Sequence, residues 1–360
     1  MKKLLLLAGT LAVLFCAPPA CADSLEMKPV ITGFIDMQVI AWHNTDQSQP
    51  VFTLGYVKPY PGLFGGIVLN ATWNEMQPNS PAQLVTARID NALAQVRAYD
   101  AAHPDAPLFV KLRIFSGNQA PTWAEKLAGG PVKIQRNPLG CHMPKPPGCP
   151  ITIGKVWDPQ YITAWRAFQM RVARRYDLDP LIRSVAITSC AMETDEPFVM
   201  PVAKKIPRGY TDTAERACLA GAIGDYAGWR HTAVDYTFNT FIPLEGARKP
   251  EFGFTLSVMN ACRARLPARC ELGNHAFSKP LRPGISPVVD AIAERKAPIH
   301  YQTVAPDSPT LTNGFNWRAT MRLARTDQAS AIELWPLAGG FTTLSFATMK
   351  HLHAVFEGEP

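Results

Sequence analysis

Short apolar runs alternate with amphipathic stretches along almost the whole chain, and this alternation limits the fold more than any other feature of the sequence. It is the pattern of parallel strands joined by crossover helices. The clearest helical stretch begins at Asp158 and Pro159, which suit the N-cap and the first helical position, and its apolar residues recur every three or four positions. Eight segments are predicted to be strands: 31–40, 66–72, 108–115, 184–190, 252–259, 269–277, 299–304 and 331–335.

Helices are predicted between these strands, at about 82–99, 158–176, 213–241, 288–295 and 317–325. No internal repeat or low-complexity linker divides the chain. Eight strands in one undivided chain predict a single (β/α)8 TIM barrel with long loops, and a doubly wound sheet is the alternative.

Residues 1–22 have the three parts of a secretory signal peptide. Lys2 and Lys3 are followed by a short apolar run and then by the small-residue site Ala20-Cys21-Ala22, which predicts cleavage before Asp23. Pro18 stands where a lipoprotein signal normally has leucine, which argues against a lipid anchor at Cys21. We therefore expect an exported protein, periplasmic or extracellular, with one domain over residues 23–360.

Charge and hydropathy argue against nucleic-acid binding and against a membrane-spanning helix. The formal net charge of +7 is spread along the chain without a dense basic run, so nucleic-acid binding is not expected. After the signal, no stretch reaches the roughly 18 apolar residues of a membrane helix, so no membrane span is expected.

Six cysteines follow the signal, and an even number in an exported chain indicates disulfides. Proximity in sequence predicts Cys141–Cys149 and Cys262–Cys270, and elimination leaves Cys190–Cys218. A metal site on Cys141, His142 and Cys149 is the alternative, but the close spacing of zinc-binding cysteines is missing there.

Polar and aromatic residues follow the predicted strands, at the end of a barrel where function is expected. Carboxylates, amides and flat indole rings suit the hydroxyls and C–H faces of sugars, and glycosidic cleavage needs two carboxyl groups. The strand-end residues are Trp73, Asn74, Glu75, Ser116, Asn118, Glu193, Glu196, Asn260, Asn274, His275, Gln302, Glu333 and Trp335.

Four segments resemble motifs of the clan-A glycoside hydrolases, the superfamily of β-galactosidase and cellulase TIM barrels. GIVLNATWNEMQP is similar to the second-strand motif, and KLRIFSGNQAPTW to the third-strand segment. The segment from VWDPQ to TDEP resembles the helix and strand that carry the acid/base glutamate, and AIELWP resembles a late strand with a second glutamate. The resemblance extends over about residues 60–340 and implies a barrel that hydrolyses glycosidic bonds without a cofactor.

The resemblance implies Glu196 as the general acid/base, with Glu193 as its rival, and Glu333 as the nucleophile or base. A retaining mechanism would follow from carboxyl groups about 5–5.5 Å apart. Two departures from the family pattern stand out. Thr194-Asp195 precede Glu196 where the family often has asparagine, and Gln302 occupies the predicted seventh strand, where the family has its nucleophile. The alternative role for Glu333 is a structural partner of a buried arginine such as Arg113.

The remaining candidates are substrate contacts. Tryptophans would stack on sugar rings, and polar side chains would bind hydroxyls: Trp73, Trp123 and Trp335, together with Glu75, Arg113, Asn260, Asn274, His275 and Gln302. No metal is expected, because His275 has no second histidine or cysteine at ligand spacing, and phosphate-binding glycine loops are missing. The sequence thus predicts an exported glycoside hydrolase. Its alternatives are a barrel that binds glycans without cleaving them and a surface protein that contacts another protein.

Overall fold

The computed structural model describes residues 26–38, 52–135, 150–201, 206–306, 308, 311, 314–336 and 339–358. Ten strands occur in these residues: β1 (Gly33–Asp36), β2 (Phe64–Thr72), β3 (Phe109–Phe115), β4 (Val132–Gln135), β5 (Pro150–Ile153), β6 (Ile182–Ala186), β7 (Ala233–Thr237), β8 (Cys270–Phe277), β9 (Ile299–Thr303) and β10 (Ala331–Leu334). Strands β4 and β5 form a separate antiparallel pair after the third barrel strand.

The other eight strands form a closed parallel barrel in the order β1, β2, β3, β6, β7, β8, β9 and β10. Closure comes from β1, which pairs with both β2 and β10. The structure therefore confirms the predicted (β/α)8 TIM barrel. The eighth barrel strand is β10, so Glu333 lies on strand eight and Gln302, on β9, lies on strand seven.

Nine helices occur in the described residues: α1 (Trp73–Met76), α2 (Ala87–Ala102), α3 (Thr122–Glu125), α4 (Pro159–Tyr176), α5 (Asp212–Asp225), α6 (Phe252–Arg265), α7 (Ser286–Glu294), α8 (Trp317–Thr326) and α9 (Phe346–Glu357). Helix α4 begins as predicted, with the Asp158 side chain accepting a hydrogen bond from the backbone N–H of Gln160. Its apolar face packs against the barrel, where Trp165 and Phe168 are almost fully buried.

The prediction for the middle of the chain was wrong in one place. Residues 252–259 lie in helix α6, and the fifth barrel strand is β7, inside the stretch 213–241 that was predicted as helical. The buried residues of α6 are Thr255, Val258, Met259 and Cys262, which is helical spacing. A short apolar run does not distinguish a strand from a buried helix, and a charged residue, Asp235, interrupts β7.

Two of the predicted disulfides are present, Cys190–Cys218 and Cys262–Cys270. The first links the loop after β6 to helix α5, and the second links α6 to the first residue of β8. Cys141 and Cys149 lie outside the described residues. Disulfides persist in oxidising compartments, so the two bonds are compatible with an exported protein.

No helix within the described ranges is long and apolar enough to cross a membrane. The apolar core lies between the barrel and its helices, and one part of it is an aromatic cluster around Trp73, which contacts the rings of Trp123, Tyr161, Trp165 and Phe168. The signal peptide and the single-domain boundary at residue 23 stay predictions.

Candidate functional site at the barrel mouth

The interior of the barrel carries a buried ionic network. Lys111 and Arg113 stand two residues apart on β3, so both side chains point to the same face of the strand. The Lys111 ammonium lies 2.6 Å from Asp235 Oδ2 on β7 and 2.5 Å from Glu333 Oε1 on β10. Arg113 lies 2.6 Å from Glu333 Oε2 through Nη2 and 2.8 Å from Asp195 Oδ2 through Nε. Three separate strands and one loop are tied together in this way.

Glu333 is completely buried inside this network, with 0% of its surface exposed. Its carboxylate contacts Lys111, Arg113 and, at 3.1 Å, His300 Nε2. Burial would raise the pKa of Glu333, but Arg113 and Lys111 outweigh burial and hold it well below the usual range. Glu333 thus forms a buried ion pair with Arg113, the contact that the alternative structural role requires. This geometry argues against its use as a nucleophile.

Glu196 lies in the loop that follows β6 and is only partly buried. The Asn239 side-chain amide donates a hydrogen bond of 3.0 Å to its Oε1. Burial raises the pKa of Glu196, and the negative charge of the adjacent Asp195 raises it further against the opposing effect of His275. Glu196 therefore retains a proton more readily than an ordinary glutamate, which is what a general acid needs.

The pKa of the neighbouring carboxyl group, Asp195, is shifted in the opposite direction. Its Oδ2 contacts both Arg113 and, at 3.2 Å, His275 Nδ1. Burial would raise the pKa of Asp195, but Arg113 and His275 lower it below the usual range. The same contact raises the pKa of His275 against the effect of burial. The pKa values of the two neighbouring carboxyls, Asp195 and Glu196, thus shift in opposite directions, because Arg113 and His275 contact Asp195.

Further predicted residues lie near this point. His275 Nε2 is 3.0 Å from Thr237 Oγ1, and Gln302 Oε1 is 3.4 Å from Arg113 Nη2. Trp335 follows β10 directly and is half-buried. We call Asp195, Glu196, Asn239, His275, Gln302 and Trp335 the mouth residues. Glu193 lies in the same loop as Glu196 but is buried.

Several predicted substrate contacts make other interactions in the structure. Trp73 is part of the aromatic core, and the Trp123 indole donates to the Gln77 carbonyl. Glu75 caps helix α1 and pairs with Arg88 at 2.9 Å. Asn274 uses its amide for the Phe238 carbonyl and the Ala276 backbone N–H.

Asn260 was placed at the end of a strand, and this placement was wrong. It lies on the exposed side of helix α6, where it accepts a hydrogen bond from Arg295. The predicted strand that would have carried it to the mouth is this helix. Arg113 lies at the centre of the network, where its guanidinium is used by two carboxylates rather than free for a ligand.

Sequence reasoning missed Lys111, Asp235, Glu271, His300 and Asn239. A sequence signal for the missed carboxylates was the pair Lys111 and Arg113 at alternate positions of an apolar strand, since cations inside a barrel require buried carboxylates. Donor atoms of Asp235, Glu271 and His300 lie within 4.8 Å of one another, a spacing that would suit a metal ion. The Lys111 ammonium already contacts Asp235, so a positive charge occupies this cluster without a metal.

No protein-family model and no curated protein sequence matches this chain. Among solved structures, endo-glycoceramidase II from Rhodococcus sp. in a cellobiose-like isofagomine complex is similar to it, with a TM-score of 0.53 and 14% identity over 91% of this chain and 80% of that chain. The ganglioside GM3 complex of the same enzyme gives a TM-score of 0.52 and 13% identity over the same shares. At these identities the similarity shows a common barrel fold.

Proposed function

We propose that this protein binds a carbohydrate at the mouth of its barrel and does not cleave it with the Glu196–Glu333 pair. The observation that carries the proposal is the state of Glu333, which is fully buried and held by Lys111, Arg113 and His300. The carbohydrate follows from the mouth residues, from the resemblance of the sequence motifs, and from the fold shared with an enzyme whose structures contain sugar analogues and a ganglioside.

The mouth residues offer the groups that sugars use. Glu196, Asn239 and Gln302 present carboxyl and amide groups to hydroxyls, and the half-buried ring of Trp335 can stack on the C–H face of a sugar. Stacking on indole and hydrogen bonding to several amides give affinity for a neutral ligand without a formal charge on it.

Cleavage would require a second carboxylate on the other side of the glycosidic bond. The resemblance places it on the seventh strand, where this chain has Gln302, and an amide is not a nucleophile of that kind. Glu333, on the eighth strand, could attack only after breaking its ion pairs with Lys111 and Arg113 in the barrel interior, and breaking a buried pair costs about 3–5 kcal/mol.

A second candidate is hydrolysis with Glu196 as the general acid. The raised pKa of Glu196 and its partial exposure favour it, since both are properties of a proton donor at a ligand site. The base or nucleophile would then be a group other than Glu333. Export through the predicted signal peptide is common to both candidates.

The test is to incubate the protein with a panel of β-linked gluco-, manno- and galacto-oligosaccharides and with lactosyl ceramide. Binding is measured by calorimetry, and products are measured by chromatography. We expect binding of at least one member and no product above the blank. Products that appear with the wild type and fall at least about 100-fold in Glu196→Gln would instead establish hydrolysis. Binding of no member would contradict both candidates.

A further inference from the structure

Leu178 is the most exposed large apolar side chain among the described residues, at 78%. It stands in the turn between the end of α4 and the start of β6, at the amino ends of the barrel strands. This end is opposite the mouth. Single exposed leucines are common and need no explanation by themselves, so the surroundings of Leu178 decide whether it has a role.

Cationic side chains from several segments surround this turn. The Lys28 ammonium binds the carbonyl of Asp179, and the carboxylate of Asp177 binds the backbone N–H groups of Arg230 and His231. Arg174 is exposed in the last turn of α4. We call the following residues the basic face: Lys28, Arg97, Arg174, Leu178, Arg183, Arg230 and Arg269.

Like charges are neighbours within this face. Burial lowers the pKa of Lys28 to about 8, and the charge of Arg183 adds to this effect against those of Asp177 and Asp179. Burial likewise lowers the pKa of Arg269, and the charge of Arg230 adds to that effect. Glu26, Asp90, Asp177 and Asp179 are the acidic side chains nearby. Asp177 is engaged with backbone N–H groups, Asp179 pairs with Arg97, and Asp90 pairs with Arg175. With Arg175 counted, seven cationic groups stand against four carboxylates, an excess of positive charge.

A simpler explanation covers only part of this arrangement. Arginines in the last turn of a helix stabilise its dipole, and Arg174 has this position in α4. Lys28, Arg183, Arg230 and Arg269 lie outside helices, at the amino ends of different strands or in the segment before β1. The helix dipole does not explain these four cations, which come from separate segments around the turn that carries Leu178. Arg230 is exposed, and the other three are half-buried.

We propose that the basic face docks onto an anionic lipid membrane, with Leu178 inserted between headgroups and Arg174 and Arg230 against their phosphates. An anionic polysaccharide or nucleic acid would satisfy the cations but gives no reason for a protruding leucine. Docking at the amino ends of the strands leaves the mouth at the other end free to bind a ligand in solution. The proposal does not depend on the function proposed for the mouth.

The experiment is flotation of the purified protein with vesicles of phosphatidylglycerol and phosphatidylcholine in equal parts. Pure phosphatidylcholine vesicles serve as the neutral comparison. We expect binding to the anionic vesicles that falls as salt rises, and little binding to the neutral ones. No binding to the anionic vesicles at low salt would overturn the proposal.

Variants distinguish the contribution of the basic face to vesicle binding from that of the protein's net charge. Arg174→Gln with Arg230→Gln should lower the partition coefficient roughly 30-fold, because each cation near an anionic surface contributes about 1 kcal/mol. Leu178→Gln should lower it about tenfold. The matched control is Arg318→Gln with Arg322→Gln, an equal charge change at two exposed positions of α8, and it should leave binding unchanged.

Two results with these variants would contradict the proposal. An equal loss in the α8 control would show that net charge alone drives binding. An unchanged partition of Leu178→Gln, together with equally tight binding to dextran sulfate, would identify a soluble polyanion as the partner. All five substitutions replace exposed side chains, so we expect the variants to fold.

Discussion

At the scale of single residues, the barrel interior depends on paired charge. Lys111 and Arg113 contact three carboxylates, Glu333, Asp235 and Asp195, and all of these side chains are at least nine-tenths buried. A buried pair is not in itself a large gain in stability, since desolvation offsets the attraction. Removing one partner is costly, because the other charge stays buried and unpaired.

The variant Glu333→Gln tests this role directly. It leaves both cations without their shared carboxylate, and we expect the free energy of unfolding to fall by about 3–5 kcal/mol. Urea unfolding measures the loss. The control is Glu251→Gln, which breaks the half-exposed pair with Arg216 and should cost less than about 1 kcal/mol. Equal losses in the two variants would contradict the account.

Glu271 predicts a pH dependence of stability. Burial, with the charge of Asp235 next, raises its pKa from 4.5 to about 7 in the folded protein. Between pH 4.5 and about pH 7 the folded state therefore binds more protons than the unfolded state. The stabilisation that comes from the protonated Glu271 is present at low pH and is lost as pH rises through this range. Relative to Glu271→Gln, the wild type should lose about 3 kcal/mol between pH 4.5 and pH 7.5. Denaturant unfolding at several pH values checks this, and a constant difference would contradict it.

At this scale the sequence predicts part of the site. Glu333 inside an apolar strand points to a buried carboxylate with a partner such as Arg113, and the structure contains that pair. The burial of Lys111 is not predictable in the same way, because lysine is almost never fully buried. A lysine at this position of β3 is stable inside the barrel only when Asp235 and Glu333 face it. Those partners are more than 120 residues away, and only barrel closure brings them together.

At the scale of elements, strand and helix identity depends on more than local pattern. Seven of the eight predicted strands belong to the barrel, whereas residues 252–259 are helical and β7 lies in a stretch predicted as helix. All five residues of β7 are buried, so its inward Asp235 interrupts the apolar run without exposing the strand. Burial of a charge depends on the partner that the rest of the barrel supplies, which explains why this strand was missed.

The two disulfides should differ in their effect on stability. Cys190–Cys218 closes a separation of 28 residues and Cys262–Cys270 one of 8. A disulfide that closes a longer loop removes more conformational entropy from the unfolded chain. The expected stabilisation is about 3–4 kcal/mol for Cys190–Cys218 and about 2–3 kcal/mol for Cys262–Cys270. We expect Cys190→Ala with Cys218→Ala to lower the unfolding free energy more than Cys262→Ala with Cys270→Ala. Guanidinium unfolding of both double variants measures the order, and a reversed order would contradict this expectation.

At the scale of the whole molecule, the barrel separates two surfaces. The mouth residues lie at the carboxyl ends of the strands, and the basic face lies at the amino ends. We expect their variants to act independently: Glu196→Gln should change glycan binding and leave vesicle binding unchanged, and Leu178→Gln should do the reverse. Calorimetry and flotation on the same two preparations measure this, and a variant that lowers both would show that the surfaces are coupled.

The central claim is that the mouth binds a carbohydrate and that Glu333 takes no part in cleavage. It is tested most directly by titrating the oligosaccharide that binds best into wild type and Trp335→Ala, and analysing the mixtures for products after a long incubation. Our account predicts heat of binding with the wild type, a loss of affinity of at least about tenfold in the variant, and intact sugar in both. Cleaved sugar from the wild type, with none from Glu333→Gln that is still folded, would contradict it.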